Sequence, residues 1–134
     1  MKTKVAFVCT GNSCRSQMAE GFARYYGSDS LEVYSAGTHT TTEVNPTAVA
    51  VMKEIGIDIS NQYPKALDDI PLELDILITM GCGVVCPFVM NKHEEDWGLP
   101  DPVGMSIDKF KEIRDLIKEK VFLLIENVKS NANY

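Results

Sequence analysis

Short apolar runs separated by polar loops set the strand positions along this chain. Residues 5–8 are continuously apolar (Val-Ala-Phe-Val), which is typical of a parallel strand buried on both faces. Similar runs at 31–36 and 74–80 predict a second and a third strand, and a short fourth strand is expected within 93–99. We expect the strand at 5–8 to be the central one.

Apolar residues at helical spacing predict three helices. The first follows residue 16 and ends at Gly27, the second spans 45–56, and the third runs from Ser106 to about Val128. This order of elements predicts an α/β fold in three layers: a four-stranded parallel sheet with right-handed crossovers, flanked by helices on both faces. The residues expected on the apolar side of the first helix are Met18, Phe22 and Tyr25, with Ala19, Ala23 and Tyr26 beside them.

Residues 9–16 (Cys-Thr-Gly-Asn-Ser-Cys-Arg-Ser) join the first strand to the first helix and form the predicted centre of the site. A loop at such a turn aims its backbone N–H groups and the positive end of the helix dipole at one small volume, which suits an anion. Gly11 permits a positive φ or a close backbone approach, Asn12 tolerates left-handed geometry, and Arg15 offers a planar fork for two oxygens. The predicted oxyanion-binding residues are Thr10, Gly11, Asn12, Ser13, Cys14, Arg15 and Ser16.

Cys9 lies at the base of this loop. Inward N–H dipoles, a guanidinium and the Ser16 hydroxyl all favour a thiolate, so Cys9 is predicted to be a nucleophile that faces a bound oxyanion. The alternative is a buried cysteine at the end of a strand, with Arg15 as a surface charge. Cys14 lies inside the loop but off the line of reaction, and a structural role is expected for it.

Composition narrows the class of protein. The 134 residues fit a single domain over 1–134, and a formal net charge of −6 argues against binding to nucleic acid or to an anionic membrane surface. The chain has no apolar run long enough to cross a membrane, and residues 1–4 lead directly into a strand rather than a signal peptide, so a cytoplasmic location is expected. In that compartment four cysteines are catalytic or metal-binding more often than structural.

Two of these cysteines lie just past the predicted third strand. Cys82 and Cys86 fall in the segment Gly-Cys-Gly-Val-Val-Cys-Pro, at 81–87. In doubly wound sheets ligands bind at the carboxyl edge of the strands, and the Cys9 loop rises from that same edge. The sequence therefore predicts three thiols at one edge of the sheet.

The pattern C-x5-R followed by Ser resembles the loop near the N-terminus of the low-molecular-weight protein tyrosine phosphatases. In that family an Asp-Pro pair late in the chain supplies the general acid for the leaving oxygen, and Asp101-Pro102 matches it; the alternative is a turn aspartate before proline. Two features depart from the phosphatases. Val103 stands where they have an aromatic residue, and they have no need of cysteines at positions 82 and 86.

Over nearly its whole length the chain is similar to the thioredoxin-coupled arsenate reductases, which share the phosphatase fold. The stretches that carry this resemblance are 9–21, 34–37, 44–46, 58–61, 96–98 and 101–102.

The resemblance implies an enzyme mechanism. Arsenate would bind in the loop, and Cys9 would displace an As–O oxygen with Asp101 as acid. Cys82 would attack the Cys9 sulfur, arsenite would leave, and Cys86 would move the disulfide to the surface for thioredoxin or a related thiol reductant to reduce. No tightly bound cofactor, no metal and no nucleic-acid or membrane partner are implied, and a monomer is expected.

Two further features depart from better-known members. Only three residues separate Cys82 from Cys86; on a helix their Cα atoms would be about 6 Å apart, near the upper limit for a disulfide. Some members bind potassium beside the loop, and an acidic ligand of that ion is replaced here by Lys65, whose ammonium could take its place. The residues of this cation-site-like group are Asn12, Glu20, Ser35 and Lys65.

Two alternatives to the reductase remain. The first is a phosphate monoester hydrolase. The second is a metal or metalloid sink at Cys82 and Cys86, for which only His39 and His93 could complete a four-coordinate zinc site. A lone histidine such as His39 in a polar loop is more often solvated than a ligand.

Overall fold

The computed structural model describes residues 2–71, 73–81 and 92–130. Its four strands form one parallel sheet in the order β2-β1-β3-β4, so the first strand is central, as predicted. The strands are β1 (Thr3–Cys9), β2 (Leu31–Gly37), β3 (Ile76–Thr79) and β4 (His93–Asp96). The predicted short fourth strand is confirmed, although its side chains are charged and only half buried or exposed.

Three α-helices are described, together with a short 3₁₀ helix at Leu67–Asp69. They are α1 (Arg15–Gly27), α2 (Pro46–Glu54) and α3 (Ile107–Lys129). The side chain of Asn45 caps α2 by accepting from the N–H groups of Thr47 at 2.8 Å and Ala48 at 3.3 Å, and Ser106 caps α3 through Lys109 N–H. The predicted starts of these two helices are therefore confirmed by their caps.

The two faces of the sheet are covered differently. Alternate residues of β1 point to opposite faces: Val5 and Phe7 pack in the larger core cluster, to which α1, α2 and α3 all contribute. Ala6 and Val8 pack on the other side with Ile70, Leu74 and other apolar residues of the segment that contains the 3₁₀ helix. The sheet is thus buried on both sides, which explains why the sequence of β1 is apolar without alternation.

One expectation about α1 is wrong. Tyr25 is 61% exposed, whereas Met18 and Phe22 are buried. Helix α1 faces α3 through Phe22 and Tyr26, and the ring of Tyr26 meets that of Phe122 edge-on at 4.7 Å. Tyr25 lies beside this contact, with its ring against the outer side of Tyr26. The helical period alone did not show where the apolar face ends.

Within the described residues, no helix is both long and apolar enough to cross a bilayer.

At the carboxyl edge of the sheet, the end of β2 passes very close to the loop that follows β1. A Cβ atom on Gly37 would lie 2.6 Å from the Thr10 carbonyl oxygen and 2.9 Å from the Asn12 nitrogen, so only glycine allows this approach.

Candidate active site

The candidate site is the loop between β1 and α1, whose base is Cys9. Cys9 is buried, and its Sγ atom accepts the backbone N–H of Asn12 at 3.2 Å. Asn12 has a φ of +52°, which confirms the predicted left-handed geometry at this position. Gly11 provides the close approach instead, since a Cβ atom there would lie 3.1 Å from Cγ2 of Thr41.

The carbonyl groups of residues 9–13 each accept a hydrogen bond from outside the loop. The donors come mainly from residues 38–45, the segment after β2, and from one side chain of α1. The pairs are Thr38 N to Cys9 O (3.3 Å), His39 N to Thr10 O (2.8 Å), Thr41 N to Gly11 O (3.1 Å), Gln17 Nε2 to Asn12 O (2.9 Å) and Asn45 N to Ser13 O (2.9 Å). Because C=O and N–H point in opposite directions across a trans peptide, these bonds turn the loop's N–H groups inward.

A chain of side-chain hydrogen bonds ends on Cys9. Ser16 Oγ lies 2.8 Å from Cys9 Sγ, and it accepts Nδ2 of Asn12 at 2.8 Å. The Asn12 amide cannot be reversed, because its Oδ1 accepts from Gln17 Nε2 at 3.0 Å and from the Lys65 backbone N–H at 2.7 Å. Ser16 therefore accepts a hydrogen bond from Asn12 and can donate its own hydroxyl hydrogen to the Cys9 sulfur.

Gln17 and Gln62 extend this chain and were missed as site residues in the sequence. Gln17 is fully buried, and its amide group also donates to the Tyr63 carbonyl at 2.9 Å. Gln62 Nε2 donates to Gln17 Oε1 at 2.8 Å and to the Gln17 carbonyl at 2.9 Å. Gln17 follows the loop directly in the sequence, so a polar residue at the start of a buried helix was the only available signal.

Arg15 is held by two backbone carbonyl groups, one directly after β3 and one in the segment that follows β4. Its Nη1 donates to the Met80 carbonyl at 3.1 Å and to the Leu99 carbonyl at 2.9 Å, and its side chain is almost completely buried. Its Nη2 lies 3.8 Å from Oδ2 of Asp101. One nitrogen of the guanidinium is thus fixed by the backbone, and the other faces the cleft shared with Asp101.

Asp101 lines the same cleft as Cys9. Its side chain is 48% exposed, and its Oδ1 accepts the backbone N–H of Val103 at 3.1 Å. The cleft has a volume of about 240 Å³, and its lining includes Cys9, Arg15, Asp101 and Val103. His39 is exposed, as expected of a polar loop, yet it also lines this cleft.

The four residues expected at the cation-site-like position are close together. Lys65 Nζ lies 3.4 Å from Oε1 of buried Glu20 and donates to the Tyr63 carbonyl at 2.6 Å. Ser35 Oγ donates to the same Glu20 oxygen through a short hydrogen bond, and Lys65 N–H binds Oδ1 of Asn12. Arg24 pairs with the second Glu20 oxygen at 2.9 Å. The Lys65 ammonium therefore lies against the Glu20 carboxylate. The backbone N–H of the same lysine binds Asn12, which belongs to the hydrogen-bond chain that ends on Cys9.

Cys14 is buried, and burial raises the pKa of its thiol to about 12. The negative charges of Asp101 and of Cys9 as thiolate act in the same direction, while the hydroxyl of Ser13 and the charge of Arg15 oppose them. Cys14 is thus a neutral thiol that lines the same cleft as Cys9, and the structural role expected for it stays a prediction.

Cys82 and Cys86 lie outside the described residues. The described chain stops at Gly81, directly after Met80, whose carbonyl accepts from both Arg15 Nη1 and the Leu99 N–H. The segment that carries Cys82 and Cys86 therefore comes shortly after Met80, whose carbonyl is hydrogen-bonded to Arg15.

The parallel α/β sheet thus carries, at its carboxyl edge, a cleft lined by a buried cysteine, an arginine and an aspartate. The profile described as "Low molecular weight phosphotyrosine protein phosphatase" matches residues 4–133, and the chain belongs to that family.

Within it, the chain is 44% identical over 129 residues to a glutaredoxin arsenate reductase of Synechocystis sp. (strain ATCC 27184 / PCC 6803 / Kazusa), covering 93% of this chain and 98% of that one. A solved structure described as an arsenate reductase in the phosphate binding state superposes with a TM-score of 0.88 at 45% identity, covering 96% of this chain and 99% of that one. A Corynebacterium glutamicum thioredoxin-dependent arsenate reductase superposes with a TM-score of 0.82 at 34% identity, covering 97% of this chain and 63% of that one.

Proposed function

We propose that this protein is an arsenate reductase in which Cys9 is the nucleophile. The observation that carries the proposal is the environment of the Cys9 sulfur, which accepts an N–H of the loop and lies 2.8 Å from the Ser16 hydroxyl. Arsenate has the charge and tetrahedral shape of phosphate, and the cleft offers it inward N–H groups and the positively charged Arg15 guanidinium beside Asp101. The extended similarity to arsenate reductases supports this substrate over a phosphate ester.

The reaction begins with attack of the Cys9 thiolate on arsenic. A Cys9 S–As bond forms and an As–O bond breaks, and the oxygen leaves as water after taking a proton from Asp101. Cys82 as thiolate then attacks Cys9 Sγ. The S–As bond breaks with its electron pair left on arsenic, so arsenic(V) becomes arsenic(III), arsenite leaves, and Cys9 and Cys82 are oxidised to a disulfide.

Cys86 completes the relay. Its thiolate attacks the sulfur of Cys82, Cys9 leaves as a thiolate, and the disulfide joins Cys82 to Cys86. A dithiol reductant then becomes oxidised as these two thiols are restored. We propose thioredoxin as this reductant, supported by the similarity to a thioredoxin-dependent reductase, with glutaredoxin as the competing donor because another relative is named for it. A cytoplasmic monomer, whose thiols stay reduced between turnovers, fits this cycle.

Lys65 supplies the fixed positive charge of the cation-site-like group. Its ammonium lies 3.4 Å from Glu20, while its backbone N–H holds the Asn12 amide that donates to Ser16. We assign to it the part that a potassium ion plays in some relatives of this type. The loop between β1 and α1 can then be ordered without a bound potassium ion.

A phosphate monoester hydrolase is the second candidate function. Cys9, Arg15 and Asp101 line one cleft, and these groups would suffice for transfer of a phosphoryl group to Cys9 and its hydrolysis. This activity does not use Cys82 or Cys86, so the two functions are separable by mutation.

The test compares arsenate-dependent NADPH consumption with aryl phosphate hydrolysis. Electrons are supplied either by thioredoxin and its reductase or by glutaredoxin with glutathione and its reductase. We expect Cys9→Ser to abolish arsenate reduction and ester hydrolysis, and Cys82→Ser to abolish only arsenate reduction. Cys86→Ser should release one equivalent of arsenite and then stop, because the Cys9–Cys82 disulfide cannot be passed on.

Three results would overturn the proposal. If the wild-type protein hydrolyses esters but turns over no arsenate with either donor system, it is a phosphatase. Equal loss of both activities in folded Cys82→Ser would remove the relay. Continued turnover by Cys86→Ser with thioredoxin would remove Cys86 from it.

A further inference from the structure

One peptide unit of the anion loop has both of its polar groups engaged in opposite directions. The N–H of the Gly11–Asn12 peptide points inward and donates to Cys9 Sγ at 3.2 Å. Its carbonyl, Gly11 O, points outward and accepts the backbone N–H of Thr41 at 3.1 Å. The orientation of this single plane therefore decides whether a donor or an acceptor faces the sulfur.

This peptide is the one in the loop most able to rotate. Glycine on its N-terminal side offers little steric resistance to a change in ψ. Asn12 on its other side has a φ of +52°, a region that non-glycine residues seldom occupy, and rotation of the plane would return it to negative φ. A rotated peptide would withdraw the N–H from Cys9 and aim the Gly11 carbonyl dipole at the thiolate and at any bound oxyanion.

Thr41 occupies the position that prevents this rotation. Its N–H holds the Gly11 carbonyl, and its hydroxyl donates to the Glu43 carbonyl at 2.9 Å, which fixes the local turn of the segment. The hydroxyl also lies 3.5 Å from the Gly11 oxygen, and the methyl carbon would lie 3.1 Å from a Cβ atom on Gly11. The neighbouring contacts His39 N to Thr10 O and Asn45 N to Ser13 O hold the segment on both sides of Thr41.

We propose that Thr41 is a positioning residue that latches the Gly11–Asn12 peptide with its N–H toward Cys9. Thr41 lines the cleft, and it acts on Cys9 through the peptide whose N–H donates to the sulfur. The arsenate part of this inference rests on the proposed function, whereas the state of Cys9 and the binding of an oxyanion do not depend on arsenate reduction.

The test uses the rate of Cys9 alkylation by iodoacetamide as a function of pH, and its protection by inorganic phosphate. Trypsin releases residues 5–15 as one peptide, in which fragment ions distinguish modified Cys9 from Cys14. Among the described residues, the other ionisable groups that line the cleft are Cys14, Arg15, His39 and Asp101, and they are the same in every variant. A shift in the profile therefore reports the loop.

Four variants separate the latch from general loosening of the segment. Thr41→Pro removes the N–H, and Thr41→Gly keeps it but removes the hydroxyl and methyl contacts. Thr41→Ser retains the hydroxyl as the conservative rescue. Thr42→Gly is the matched control, because it loosens the next exposed residue of the same segment.

For Thr41→Pro we expect the midpoint of alkylation to rise by about one pH unit and phosphate protection to weaken about tenfold, the size expected when a hydrogen bond to a charged group is lost. Thr41→Gly should weaken protection about threefold, while Thr41→Ser and Thr42→Gly stay within about twofold of wild type. Arsenate kcat/KM should follow the same order.

A folded Thr41→Pro protein with the wild-type profile would overturn the latch, as would Thr42→Gly shifting the profile as much as Thr41→Gly. If Thr41→Pro fails to fold, the comparison of the two glycine variants decides. Absence of arsenate turnover in the wild type would refute the proposed function and leave this comparison intact.

Discussion

The Sγ atom of Cys9 lies 2.8 Å from the Oγ atom of Ser16 in the buried interior of the loop. Since Ser16 already accepts Nδ2 of Asn12, its own proton is available to the sulfur. Ser16→Ala should raise the midpoint of Cys9 alkylation by about one to two pH units, as expected for a lost hydrogen bond to a charged group. Ser130→Ala, at the exposed end of α3, is the matched control and should leave the profile unchanged. An unshifted profile in Ser16→Ala would remove the hydroxyl from thiolate stabilisation.

Gln17 is expected to stabilise the fold, because its buried side chain donates hydrogen bonds to oxygens of Asn12. Gln17→Leu would leave the Asn12 Oδ1 and carbonyl oxygens short of a donor inside the protein, and it should lower the free energy of unfolding by about 2 to 4 kcal/mol. Gln62→Leu is the matched control, because it cuts the chain at its half-buried outer end. Chemical denaturation measures both. A larger cost for Gln62→Leu than for Gln17→Leu would contradict this assignment.

Lys65 should make the wild-type enzyme indifferent to potassium. Lys65→Met keeps the aliphatic stem but removes the ammonium from Glu20, so Cys9 alkylation should shift to higher pH and arsenate kcat/KM should fall. Potassium chloride should partly restore both, and sodium chloride at equal ionic strength should restore less. Lys109→Met removes the same charge on α3, where it pairs with Glu112, and should change neither quantity. Strong potassium activation of the wild type would refute the role of Lys65.

Asp101 should matter most when the leaving group is poor. Asp101→Asn is expected to lower kcat about 10²- to 10⁴-fold for phenyl phosphate and for arsenate, since a proton must reach the departing oxygen. The loss should be much smaller for 4-nitrophenyl phosphate, whose leaving group needs no proton. Asp108→Asn, in the first turn of α3, carries the same charge change outside the cleft. Equal losses for both esters would exclude Asp101 as the acid.

Cys14 should make the protein less stable in alkali. Burial raises the pKa of its thiol from 9.0 to about 12, so the folded state retains a proton that the unfolded state loses between these values. This contribution is fully present below pH 9 and falls by about 1.4 kcal/mol for each pH unit above it. The difference in unfolding free energy between wild type and Cys14→Ser should therefore decrease from pH 9 toward pH 12. A constant difference over that range would contradict the buried neutral thiol.

The sequence by itself determined the elements and the chemistry of the loop. The uninterrupted apolar run of β1, the Asn45-Pro46 start of α2 and the Ser106 cap of α3 are local signals, and each predicted its element. The spacing of Cys9 and Arg15 around Gly11 and Asn12 is equally local, because a loop between a strand and a helix directs its own N–H groups. These features depend on residues only a few positions apart.

Only the tertiary structure decided what holds that loop in place. Gln62 reaches Gln17 across 45 positions, and Thr41 reaches Gly11 across 30. These contacts depend on how closely β2 and the segment after it approach the loop, which is set by packing of the sheet and by the missing side chain of Gly37. The periodicity of apolar residues indicates which face of a helix or strand is buried. It does not indicate which distant polar group will form a hydrogen bond with a buried carbonyl or amide.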